Sequence, residues 1–99
     1  MTDRAAALPH QIATEAGELV AELNAMGWTV HASQYEPELF GNWWVDLQIG
    51  SRILRLVRDR SQFMVEGPTT QQMKDAGLWR AFDSFEEFQD AVRRWALGQ

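Results

Sequence analysis

Residues 42–67, NWWVDLQIGSRILRLVRDRSQFMVEG, constrain the fold of this chain more than any other stretch. They read as three consecutive strands, broken at Gly50-Ser51 and again near Asp59-Arg60-Ser61. Glycine followed by a small polar residue between two β-rich runs marks a tight hairpin, because glycine takes the positive φ that primed turns need. If Gly50 and Ser51 alone form the loop, Ile49 faces Arg52. Counting outward then pairs Leu47 with Leu54, Asp46 with Arg55 and Val45 with Leu56. Apolar pairs fall on one face and an opposite-charge pair on the other, an arrangement that holds a register in place.

The flanks supply what such a ribbon needs. From Pro9 the positions Ile12, Ala16, Leu19, Val20, Leu23 and Met26 follow helical spacing up to Gly27, predicting a helix over residues 9–26. Glu15, Glu18 and Glu22 form an acidic stripe on it, read as a solvated face. Residues 28–35 alternate with period two and add a further strand, with Trp28, Val30 and Ala32 on one side and Thr29, His31, Ser33 and Tyr35 on the other. Residues 36–42 form a loop whose pair Leu39-Phe40 either tucks under the sheet or is exposed. Strands over 43–49, 52–59 and 62–66 follow. Thr69 or Thr70 caps a short helix over 71–76, and residues 78–82 fit either an extended segment or a helical turn. Ser84-Phe85-Glu86-Glu87 reads as a capping box that opens a last helix over 85–97. The expected fold is α+β: a four-stranded antiparallel meander with N- and C-terminal helices packed on one face, in the order α-β-β-β-β-α-α, a two-layer sandwich.

Ninety-nine residues make one domain, with residues 1–8 as a frayed lead-in. A chain of this length buries roughly two-thirds of its unfolded surface, enough for stability without covalent staples. The sequence has no Cys, which removes disulfides and thiolate metal sites and is compatible with a reducing cytoplasm. No long apolar run suggests a signal peptide or a membrane span, and the expectation is a soluble, cytoplasmic, bacterial-type protein. A formal charge of −5 argues against a generic nucleic-acid binder and favours either solubility or a basic partner met by electrostatic steering.

Parity divides the sheet into unlike faces. One side, with Trp43, Val45, Leu47, Ile49, Leu54, Leu56, Phe63 and Val65, is almost wholly apolar and demands the helices. Arg58 is its odd member, near a strand end from which it could reach solvent. The other side mixes Trp44, Ile53, Val57 and Met64 with Asp46, Arg55, Gln62 and Glu66. An apolar patch ringed by polar groups marks a contact site, unless the segment over residues 71–82 folds across it.

Chemistry beyond binding finds little footing. His10 and His31 are the only histidines, no His/Cys cluster has metal-ligand spacing, and no glycine-rich phosphate motif occurs. No cofactor or metal is expected. Ser33, His31 and Asp46 on one face form a nominal hydrolase set without a strained nucleophile turn. Arg52, Arg55, Arg58 and Arg60 read as cross-strand partners rather than a basic stripe, because strand parity separates them.

The run Asn42-Trp43-Trp44-Val45-Asp46-Leu47-Gln48, followed by Arg55-Leu56-Val57-Arg58-Asp59-Arg60-Ser61-Gln62-Phe63, resembles a pattern in small bacterial α+β proteins of the toxin-immunity type. In that pattern an aromatic strand precedes an Arg-Asp-Arg turn and a C-terminal helix closes the domain. Here Ser61 stands where the pattern has Gly, and Phe63 where it has Trp. The resemblance covers residues 40–66 and implies a toxin-neutralising or other protein-binding role, with no catalytic residue carried across. The expected function is therefore non-catalytic protein binding through the exposed sheet face, by a monomer or homodimer. Trp44 is its anchor, with Tyr35, Asp46, Arg55, Met64 and His31 around it. The alternative is a small-molecule binder or small enzyme using the same face.

Overall fold

Primed turns set the centre of the sheet. In the computed structural model, which describes residues 8–98, Gly50 has φ +58° while Ser51 stays out of the positive region, the pattern of a type II′ turn. At the next turn Arg60 and Ser61 both take positive φ, +53° and +69°, as a type I′ turn requires, although neither is glycine. The strands β1 (Thr29–Glu36), β2 (Asn42–Ile49), β3 (Arg52–Asp59) and β4 (Gln62–Glu66) form one antiparallel sheet in the order β1-β2-β3-β4. Val45 faces Leu56, Asp46 faces Arg55 and Leu47 faces Leu54, as the Gly50-Ser51 turn dictates.

Helices cover one face. The first, α1 (His10–Ala25), buries Ile12, Ala16, Leu19, Val20 and Leu23. The last, α3 (Phe85–Leu97), buries Phe88, Ala91, Val92 and Ala96 and begins at Ser84, whose Oγ accepts the Glu87 N–H at 3.3 Å. The Glu87 carboxylate pairs with Arg80 at 3.7 Å. The fuller capping box lies elsewhere, at α2 (Thr70–Asp75): Thr69 Oγ1 accepts the Gln72 N–H, and Gln72 Oε1 accepts the Thr69 N–H. The lead-in expected over residues 1–8 lies outside the described residues except for Leu8, which is partly buried against the core.

Residues 68–83 do not fold across the open face. Met73, Leu78 and Phe82 join the core, and Phe82 bridges Phe63 at the free edge of β4. The pair Leu39-Phe40 is exposed at the tip of the β1–β2 loop, where Phe40 itself takes φ +59°.

The structure departs from expectation at the parity of β1, at the acidic stripe of α1 and at Arg58, which does not reach out to solvent. Along β1 the register slips between Val30, opposite Leu47, and Ala32, opposite Asp46. A β-bulge puts two residues of one strand against one of its partner, so side-chain parity reverses beyond it. Ser33 and Tyr35 therefore lie on the helix-covered side, opposite Val45 and Trp43, while Ala32 and Gln34 move to the open side. The second correction concerns the acidic stripe of α1, which is more than a solvated face: Glu18 is exposed, yet all three carboxylates bond to other elements. Glu18 and Glu22 accept hydrogen bonds from the buried Gln89 of α3, both at 3.2 Å, and Glu22 pairs with Arg93 at 3.0 Å. Glu15 accepts the Trp43 indole N–H at 3.0 Å and lies 3.5 Å from Arg58. Arg58 turns inward, donating to the Gly41 carbonyl at 2.8 Å.

A candidate protein-docking face

The uncovered side of the sheet is built in rows, because antiparallel strands in register set one residue of each strand side by side. The central row is Gln34, Trp44, Val57 and Met64. One flanking row is Ala32, Asp46, Arg55 and Glu66; the other is Glu36, Asn42, Asp59 and Gln62. Toward the Gly50 turn, Ile53 stands 54% exposed. An apolar band of Trp44, Val57 and Met64, each half-buried, thus runs across three strands between rows that carry the charges.

Three side chains on this face are joined, Asp46 to Arg55 and Arg55 to Trp44. Arg55 donates from Nε to Asp46 Oδ1 at 2.6 Å and from Nη2 to Oδ2 at 2.9 Å, a bidentate pair. Its guanidinium lies 4.2 Å from the centre of the Trp44 ring, within cation–π range. The hydrogen bond to Asp46 raises the affinity of Arg55 for its proton above the ordinary guanidinium range; burial opposes this, and the charges of Asp46 and Glu66 add to it. Trp44 is in this way held by a neighbour that is itself anchored, which limits the rotamer freedom an aromatic loses on docking.

Charge on the face is one-sided. Glu36, Asp46, Asp59 and Glu66 project from it against Arg55, which Asp46 neutralises, and Arg60 at the turn, which lies near Asp59. Three carboxylates remain at the perimeter. Of these, Glu36 accepts from Gln34 at 2.9 Å and Asp59 accepts from Asn42 at 3.2 Å, with Arg60 3.9 Å away at the turn.

The residues anticipated for the site divide accordingly. Trp44, Asp46, Arg55 and Met64 share the face. Tyr35 does not: the bulge turns it to the helix-covered side, where it packs against the core opposite Trp43. His31 is the extra residue of the bulge, exposed and without a cross-strand partner, at the edge of the sheet. The nominal Ser33, His31 and Asp46 set is dispersed, since Ser33 faces Val45 on the covered side. Gln34, Glu36, Asn42 and Asp59 belong to the face and were missed. For Gln34 and Glu36, the five-residue loop after β1 carries no two-residue turn from which the register could be counted, whereas Asn42 and Asp59 follow from the Gly50-Ser51 turn, which sets them opposite one another. Among the described residues no group of three or more His, Asp or Glu is placed to hold a metal ion. No described helix is long and apolar enough to cross a membrane.

No family model, no curated protein and no solved structure matches this chain significantly.

Proposed function

We propose that this protein is a non-catalytic binding domain that docks a basic partner protein on the open face of its sheet. Trp44 is the anchor, and Asp46, Arg55 and Met64 flank it. One observation carries the reading: an apolar band of Trp44, Val57 and Met64, left uncovered by the helices, lies between rows whose uncompensated charges are all carboxylates. A face needing only solubility has no use for Trp, Val, Met and an exposed Ile on adjacent strands. The carboxylate perimeter together with the net charge of −5 favours a partner rich in Lys or Arg. A cytoplasmic immunity-type domain that neutralises a basic bacterial toxin is the specific case to which the resemblance over residues 40–66 leads.

The test is affinity capture from a host lysate with wild type, Trp44→Ala and Ile53→Asp in parallel, followed by association kinetics against the identified protein. Truncating a true anchor weakens affinity by about 2 kcal/mol or more, roughly thirtyfold. The association rate falls as salt is added, because perimeter charges act over about a Debye length. Identical captured material from wild type and both variants removes this face from the function. Self-association that disappears in Trp44→Ala, followed by light scattering across concentrations, assigns the face to a homodimer instead.

A further inference from the structure

The strand order leaves β4 at an edge of the sheet, and the chain itself covers only half of that edge. The Phe63 N–H donates to the Phe82 carbonyl at 2.8 Å, and the Phe82 N–H donates to the Phe63 carbonyl at 2.7 Å. Both main-chain groups of Phe63 therefore point away from β3. By the alternation of an antiparallel strand, so do those of Val65. A continuing strand would bring Arg80 to Val65. Instead the Arg80 N–H donates to the Leu78 carbonyl at 2.9 Å and the chain swings outward. Among the described residues, no hydrogen bond reaches the outward N–H or C=O of Val65. Val65 is only 5% exposed, so these groups are sheltered from bulk water. They open into a groove of about 390 Å³ between β4 and residues 78–81, with Met64, Glu66, Met73, Leu78 and Trp79 among its walls. Sheltered main-chain donors and acceptors on a strand edge are a template for another strand.

We infer that this groove accepts an extended basic segment of another protein, which pairs antiparallel with Val65 and completes a fifth strand next to Phe82. Such strand addition draws its affinity from main-chain hydrogen bonds and its specificity from alternate side chains. Side chains on the Val65 side of the added strand meet Met73 and Leu78 and must be apolar. Those on the opposite side emerge beside exposed Glu66 and under Trp79, which is 54% exposed. The other charge on the groove, Arg80, is engaged: it lies over the Phe82 ring at 4.1 Å and pairs with Glu87 at 3.7 Å. The unbalanced charge is thus Glu66, and the complementary residue is Lys or Arg. A second copy of the chain does not fit: its own residues 78–81 wall its β4 and would meet the same wall here, and its other edge strand, β1, carries Glu36 but no Lys or Arg. This site uses the strand edge rather than the open face and stands whether or not that face binds; the two share only Met64 and Glu66.

The test titrates the full ¹⁵N-labelled chain with a capped peptide, Lys-Val-Lys-Val-Lys-Val-Lys. In an antiparallel pairing its valines sit on the core side and direct their N–H groups at β4. Saturable shifts at the Val65 amide, with that amide gaining exchange protection, are expected. Replacing every Lys by Glu weakens binding about tenfold or more, and Glu66→Lys, an exposed change, does the same to the basic peptide. A peptide N-methylated at its valines loses the shifts at Val65. The inference is overturned if Val65 stays unperturbed at about 1 mM peptide, a contact worth only about 4 kcal/mol. It is also overturned if the N-methylated peptide binds equally, or if shifts are confined to the Trp44 indole; that last result favours the open face alone.

Discussion

Glu15 ties α1 to the sheet, and its removal tests the packing argument most directly. Its Oε1 accepts the Trp43 indole N–H at 3.0 Å and lies 3.5 Å from Arg58 Nε, while Oε2 accepts from Gln11 at 2.6 Å. Trp43 is 1% exposed, so Glu15→Ala leaves a buried donor without a partner, a loss of about 1–3 kcal/mol. The ion pair with Arg58 is mostly buried, its side chains 20% and 23% exposed, and adds about 1 kcal/mol. Arg58 also keeps its bond to the Gly41 carbonyl. Alanine's higher helix propensity returns only a few tenths of a kcal/mol. The buried indole therefore dominates, and Glu15→Ala is expected to cost about 2–4 kcal/mol. Glu15→Gln, which keeps an acceptor in place, costs about 1 kcal/mol.

Urea unfolding followed by tryptophan fluorescence measures both variants. With slopes of about 1–3 kcal/mol per molar for a small domain, the alanine variant moves the midpoint down by roughly 1–3 M. Trp43→Phe deletes the donor, so in that background Glu15→Ala should cost about 1 kcal/mol, a coupling of about 1–3 kcal/mol in the cycle. If Glu15→Ala is within about 0.5 kcal/mol of wild type, or the coupling is near zero, the indole N–H is not held by this carboxylate and the reasoning fails.

Gly67 has φ +118°, and a Cβ there would lie 2.4 Å from the Ile53 carbonyl oxygen, so Gly67→Ala combines a strained backbone with a main-chain clash and should cost about 3 kcal/mol or more. Gly50→Ala, with φ +58° and nothing within 4 Å, should cost only about 1–2 kcal/mol; equal losses in thermal melts would refute the clash argument. The Glu22 carboxyl is held below its ordinary range by hydrogen bonds from Arg93 first and Gln89 second, against the effect of burial. A carboxyl lowered in the folded state stabilises the fold above the ordinary carboxylate range, and that contribution is lost as pH falls through its lowered folded value. Stability profiles should therefore decline in acid less for Glu22→Gln than for wild type, and parallel profiles would deny Glu22 that role. Ile53→Asp replaces a side chain that is mostly in water, so its melting temperature should stay close to wild type even where binding is lost.

What could be read ahead of the structure follows from how parity travels along a chain. A two-residue turn transmits it without loss, so the stack of Trp44, Asp46 and Arg55 and the covered row of Val45, Leu56 and Val65 were both legible from the residues around Gly50. The next turn transmits it as well, even though Arg60 and Ser61 adopt positive φ without a glycine to advertise the fact. Parity is lost at β1, where nothing in Val30-His31-Ala32 signals an extra residue and the loop to β2 is too long to count across. Glu15 was misread for a different reason. Helical spacing identifies a stripe but not what lies opposite it, and here Trp43, Arg58 and Gln89 reach out to the stripe from other elements. The bulge has a consequence for the docking face that goes beyond an error of assignment. A regular β1 would set His31, Ser33 and Tyr35 beside Trp44, leaving that edge without a carboxylate. The slipped strand turns Tyr35 inward against Trp43 and brings Gln34 and Glu36 outward, so the acidic perimeter on this side exists because the strand is irregular.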